Sequence, residues 1–169
     1  MEKSESMETD FEGYVSIISK KTASLFRTAI FCGAYSAGAD EATLKALDSY
    51  ALHLGLAFQM RDDILDYHPS DVTGKPSGQD IRERKITLPL LEAFKSASEE
   101  EKAAVLQMVR DGKVEEVSAF VKNRKGIEGA QKVLRSESET AVDALGILPD
   151  SQARTYLSLL ALKLSERDV

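Results

Sequence analysis

The stretch that decides the fold is Tyr50-Ala51-Leu52-His53-Leu54-Gly55-Leu56-Ala57-Phe58-Gln59-Met60-Arg61-Asp62-Asp63-Ile64-Leu65-Asp66. From Tyr50 to Met60 it is apolar on nearly every helical face, with only His53 and Gln59 polar. A helix like that is surrounded by other helices rather than by water. At its end the character changes: Gln59, Asp62, Asp63 and Asp66 stand at i, i+3, i+4 and i+7, one polar stripe on an otherwise apolar helix. Three carboxylates on one stripe repel one another, and burying them unpaired costs on the order of several kcal/mol. Something cationic has to meet them.

Working outward, the periodicity predicts that this helix runs from about Glu41 to Tyr67. Upstream, Tyr14, Ile17, Ile18, Leu25 and Phe26 predict a helix from Phe11 to about Cys32, with Gly33 and Ser36 to Asp40 read as a stop followed by a cap. Downstream, His68 to Asp80 carries Pro69, Gly74, Pro76 and Gly78 and reads as a loop of the kind that holds function. Helical periods then recur over Ile86 to Phe94, Glu99 to Arg110, Val114 to Lys122, Ile127 to Leu145 and Asp150 to Ser165. No alternating strand and no internal repeat stands out. The expectation is an all-α antiparallel helical bundle with short connections. Residues 1–10 are expected to be a disordered segment and 11–169 to belong to one domain.

The 169 residues are 43% apolar and 30% charged, as in an ordinary globular chain. A net charge of −6 argues against a nucleic-acid binder, which needs a basic surface. Cys32 is the single cysteine and cannot form an internal disulfide, which suits a reducing, cytoplasmic setting. No apolar run is long enough for a transmembrane segment, and residues 1–10 lack the apolar core of a signal peptide.

With only His53, His68 and Cys32 as soft or borderline ligands, zinc and iron are poorly supported. Clustered aspartates are hard oxygen ligands suited to Mg2+, which prefers sites shared by a few carboxylates and a substrate's phosphates. An acidic stripe is often only a solvated face. Against that stand the apolar helix leading into it and the positive charge after it, where Lys75, Arg82, Arg84 and Lys85 outnumber Asp80 and Glu83. A loop that folds back sets Lys75 over the aspartates, where a diphosphate bridged by Mg2+ joins both charges. Lys21 and Thr22 form a second candidate phosphate contact, although alone they read as helix surface. His53 reads as a satisfied core histidine and Cys32 as a small apolar residue.

Together these motifs resemble the trans-isoprenyl (polyprenyl) diphosphate synthase family. The residues that carry the resemblance are Lys21-Thr22-Ala23, Gly33-Ala34, Phe58-Gln59 with Asp62-Asp63-Ile64-Leu65-Asp66, Thr73-Gly74-Lys75-Pro76 with Gly78 and Asp80, and Lys85-Ile86-Thr87-Leu88-Pro89. The resemblance implies an isoprenoid-synthase helical bundle, usually a homodimer. It implies a Mg2+-dependent head-to-tail condensation of isopentenyl diphosphate with an allylic diphosphate. By position, Asp62 resembles the direct ligand of the second aspartate-rich motif, supported by Asp63 and Asp66, with Asp80 holding a metal-bound water. Lys21, Thr22 and Lys75 resemble the diphosphate contacts, Gln59 an adjacent polar contact and Lys85 a further basic support. Arg84 departs from the pattern, standing where glycine often precedes the lysine. The first aspartate-rich motif does not occur in the chain. The resemblance therefore covers about the C-terminal half of a family member, a fragment expected to be inactive alone. The alternative is a non-catalytic helical partner that modulates a full-length synthase, against which the intact aspartates count. A terpene cyclase fits less well, because its second metal motif mixes Asn, Ser and Glu.

Overall fold

The computed structural model describes residues 10–68 and 77–166. In chain order its helices are α1 (Phe11–Ile18), α2 (Ser24–Ser36), α3 (Glu41–Leu65), α4 (Gln79–Arg82), α5 (Leu88–Phe94), α6 (Glu99–Arg110), α7 (Val114–Asn123), α8 (Gly126–Ala144) and α9 (Gln152–Ser165). A π-helical turn, Ser19–Ala23, joins α1 to α2, and a 3-10 turn, Leu145–Ile147, follows α8. No strand occurs among the described residues, as the sequence predicts. None of their helices is long and apolar enough to cross a membrane.

The ends of these helices follow from side chains that satisfy orphan backbone groups. The Asp10 carboxylate accepts from the Gly13 amide at 2.7 Å and starts α1, while residues 1–9 of the expected disordered segment lie outside the described residues. Gly33 does not stop the helix as expected. It sits inside α2, and the break comes at Gly38, whose φ of 76° lets Ala39 N bond Ala34 O and Gly38 N bond Tyr35 O. Asp40 then caps α3 by accepting from the Thr43 amide at 2.8 Å. Ser98 and Glu101 form a reciprocal capping box at the start of α6.

The described residues form two compact units. In the first, made of 10–15 and 62–132 without 69–76, the core is Ile81 of α4, Leu90 and Ala93 of α5, Val105 and Val109 of α6, and Val117 and Val121 of α7. Tyr67, Ile86, Phe94 and Phe120 pack against it. In the second, made of 16–61 and 133–166, Tyr50 and Leu54 of α3 meet Ala141 of α8, Leu145 and Ala161 of α9. Phe26 and Ile30 of α2 lean on the same cluster. The Tyr50 hydroxyl donates to Leu157 O at 2.9 Å, so the one polar atom of that buried ring is satisfied.

Candidate functional site

The first unit holds the aspartates. Asp62 is exposed on the last turn of α3. Asp63 is only 4% exposed and accepts a 2.7 Å hydrogen bond from the hydroxyl of Tyr14, itself 3% exposed. A buried bond to a charged oxygen is about twice as strong as a neutral one. It fixes the Asp63 carboxylate from a helix 49 residues away in sequence. Burial, reinforced by the negative charge of Asp63, drives the Tyr14 hydroxyl far above its ordinary pKa, so it remains a donor.

Asp66 acts on the backbone. Its two carboxylate oxygens accept from Gln79 N at 2.9 Å and Asp80 N at 3.0 Å, and its carbonyl accepts from Gly78 N at 2.8 Å. These bonds start α4, a helix too short to form on its own propensity. Gly78 has φ 72°, and a Cβ there would lie 2.2 Å from Val114 Cγ1, so only glycine fits the approach. At the other end of α4, Lys85 N bonds Asp80 O at 2.8 Å and Arg84 N bonds Ile81 O at 3.0 Å, the Schellman pattern, with Arg84 at φ 58°. That turn brings Lys85 Nζ back to within 3.4 Å of Asp80 Oδ1 and onto Glu83. Burial, then the charge of Asp66, raises the Asp80 carboxyl above the usual range, with Lys85 opposing and Asp62 adding to the rise.

The second unit holds Lys21, Thr22 and Gln59. Lys21 and Thr22 lie on the π-helical turn, where one extra residue widens the backbone ring; such turns recur at functional sites. The Thr22 hydroxyl donates to Gln59 Oε1 at 2.6 Å, and Lys21 is exposed. The turn can lie this close because residue 55 is glycine. A Cβ at Gly55 would sit 2.5 Å from Ala23 Cα. His53 is satisfied as expected, its Nδ1 lying 2.7 Å from Glu137.

Of the residues singled out in the sequence, Asp63, Asp66, Asp80 and Lys85 are thus tied into the first unit, with Asp62 beside them on α3, and Thr22 and Gln59 are paired in the second. Lys75 lies outside the described residues. The sequence marks Tyr14 only as an apolar position of helical period. Its partner is 49 residues away, beyond the reach of any local periodicity. Among the described residues no three His, Cys, Asp or Glu side chains gather into a ready-made metal cage. The donors nevertheless fit one ion chemistry. They are hard carboxylate oxygens at a place where burial first, and then the charge of Asp66, disfavours the charged form of Asp80. Mg2+ is bound by one or two carboxylates, waters and substrate phosphates rather than by an all-protein cage.

A family model described as polyprenyl synthetase matches residues 1–123. An octaprenyl diphosphate synthase of Haemophilus influenzae is 38% identical over 159 residues, covering 91% of this chain and 48% of that protein. The octaprenyl diphosphate synthase of Escherichia coli is 34% identical over 162 residues, covering 93% of this chain and 50% of that protein. Among solved structures, a polyprenyl synthase from Caulobacter crescentus, complexed with calcium and isoprenyl diphosphate, superposes with a TM-score of 0.88 at 32% identity. It is matched over 99% of this chain and 53% of its own. The chain spans about half the length of the relatives it matches.

Proposed function

The chain belongs to the polyprenyl synthetase family, and on that premise we propose that it carries one wall of a prenyl-transfer site. The reaction is the head-to-tail condensation of isopentenyl diphosphate with an allylic diphosphate. The allylic carbon–oxygen bond breaks, the isopentenyl double bond attacks that carbon, and a proton leaves to give the longer prenyl diphosphate. Charge develops on the departing diphosphate, so fixed electrostatic stabilisation is the main catalytic contribution. Mg2+ would neutralise that diphosphate and would be held by Asp62, supported by Asp63 and Asp66, with Asp80 reached through a water.

The chain's own residues do the rest. Tyr14 fixes the Asp63 carboxylate, and Asp66 sets the backbone of Asp80 in place. Lys85 tempers the charge of Asp80. Lys21, Thr22 and Lys75 contact the diphosphate, the Thr22 hydroxyl turning its one proton away from Gln59 Oε1 to do so. The complete enzyme is read as a cytoplasmic homodimer. The observation that carries the proposal is the Asp66 carboxylate bridging two backbone amides beside a half-buried Asp80. That is a built acidic site, where a solvated acidic face would leave the carboxylates loose.

Calorimetric titration of dimethylallyl diphosphate into the chain with Mg2+ tests the reading. Binding should vanish with a chelator and weaken at least about tenfold in Asp62→Ala. Affinity indifferent to both changes would refute it.

A further inference from the structure

We propose that Tyr67 and Thr87 form a neutral hydroxyl pair that positions the Asp80 carboxylate from inside the first unit. The role of Asp80 toward a metal ion rests on the prenyl-transfer reading, whereas the pair itself rests on this chain's own polar groups.

The carboxylates of the first unit are supported unequally. Asp63 accepts from the Tyr14 hydroxyl at 2.7 Å, and Asp66 accepts from two backbone amides at 2.9 and 3.0 Å. Asp80 has less. Among the described residues its carboxylate meets one donor, the Lys85 ammonium, at the long distance of 3.4 Å, and Lys85 is shared with Glu83. Its side chain is nevertheless only 19% exposed. A carboxylate has about four acceptor positions, and one withdrawn from water needs protein donors to fill them.

Donors lie close at hand. Thr87 stands at the N-cap of α5, where a threonine hydroxyl ordinarily accepts from an amide of the first turn. Here no side-chain cap bond forms, and Pro89 in that turn has no amide hydrogen to offer. Thr87 is 6% exposed, and among the described residues its Oγ1 is buried without a partner. Such a hydroxyl costs stability unless it serves something. Beside it is the hydroxyl of Tyr67, on the turn that follows α3. Tyr67 packs against the core that holds Ile81, the neighbour of Asp80. Burial, opposed by the adjacent Thr87 hydroxyl, and then the charges of Asp66, Asp80 and Asp63 push the Tyr67 hydroxyl above its ordinary pKa, so it stays a donor.

Other bonds bring these residues together. Asp66, next to Tyr67, accepts the amide of Asp80 itself at 3.0 Å, and Lys85, two residues before Thr87, donates its amide to Asp80 O at 2.8 Å. Tyr67 and Thr87 are thus each within two residues of a bond to the backbone of residue 80. Each hydroxyl has one proton. Thr87 gives its proton to Tyr67 Oη, which leaves the Tyr67 proton for the Asp80 carboxylate, and the two bonds polarise each other. Because both groups are neutral, they orient Asp80 without cancelling its charge, which stays available to a divalent cation.

The test keeps the shape of each side chain and removes its hydroxyl, in Tyr67→Phe and Thr87→Val. Melting temperatures are measured at neutral pH with a chelator present, and Asp80→Asn is made both in the parent and in the Tyr67→Phe chain. Without the Tyr67 donor the Asp80 carboxylate is poorer in bonds, so Asp80→Asn should raise the melting temperature by more in the Tyr67→Phe chain than in the parent. An equal shift in both overturns the proposal. So does a higher melting temperature in Thr87→Val, the result expected of a hydroxyl that serves nothing. The second readout is calorimetric titration of dimethylallyl diphosphate with Mg2+. Tyr67→Phe and Thr87→Val should each weaken binding at least about tenfold, whereas Thr87→Ser, which keeps the hydroxyl, should bind as the parent does. Unchanged affinity in both Tyr67→Phe and Thr87→Val overturns the proposal. Should the parent itself fail to bind the diphosphate, the prenyl-transfer reading fails, and the melting comparison alone decides the hydroxyl pair.

Discussion

Arg84 has φ 58°, in the left-handed region where a side chain crowds the backbone. Glycine removes that crowding, so Arg84→Gly should stabilise the protein by up to about 1 kcal/mol, read as a higher midpoint in urea. An unchanged or lower midpoint would show that the arginine relieves its own strain. The short helix α4 just before it contains a second residue that costs stability. Asp80 titrates above its usual value of 3.8 because burial and Asp66 disfavour its charge more than Lys85 favours it. A carboxyl whose pKa rises on folding contributes stability below its unfolded pKa, and that contribution disappears as pH climbs through the folded value. Asp80→Asn should therefore raise the melting temperature at neutral pH and flatten its fall above about pH 4. Lys85 keeps Glu83 as a partner in the variant, so no buried charge is stranded. If the variant melts lower at neutral pH, the Lys85 pair outweighs the burial of Asp80. At this scale the stripe of Gln59 and the aspartates was legible from residue type and spacing, whereas Lys21 and Thr22 read alone as helix surface and stood out only through the resemblance. The backbone angle of Arg84 and the Tyr14–Asp63 bond were not, since one is conformational and the other spans 49 residues.

The helices were legible where they are long. The many turns of α3 or α8 speak through many residues, whereas α4 has four residues and exists because Asp66 and Gly78 begin it and Arg84 ends it. Periodicity has nothing to count there, and Pro and Gly nearby read as loop. The π-helical turn at Ser19–Ala23 is equally silent, because one added residue in the ring leaves composition unchanged. The residue that lets it lie close to α3 is nevertheless in the sequence, at Gly55. Alanine at 55 would gain about 1 kcal/mol of helix propensity. The clash of its Cβ with Ala23 Cα and Cβ, at 2.5 and 2.7 Å, costs about 1–3 kcal/mol by forcing backbone apart. The clash should win, so Gly55→Ala is expected to lower the melting temperature and, by pushing the turn away, to break the Thr22–Gln59 bond. A variant as stable as the parent would mean that the turn yields freely.

At the scale of the whole molecule, the family and the all-α class were readable because the motifs occur in order along the entire chain. The first aspartate-rich motif was readable only as absent from these residues, which cover 48% and 50% of two octaprenyl diphosphate synthases. The central claim is that this chain holds one wall of a diphosphate site and that the other wall must be added. The measurement that tests it is prenyl chain growth from farnesyl and isopentenyl diphosphates with Mg2+, run on the chain alone and on the chain co-expressed with the unmatched portion of the Caulobacter crescentus enzyme. The account predicts no growth from the chain alone, growth abolished by chelation from the pair, and loss of that growth in Asp62→Ala. Chain growth by the 169 residues unaided, or by a pair carrying Asp62→Ala, would contradict it.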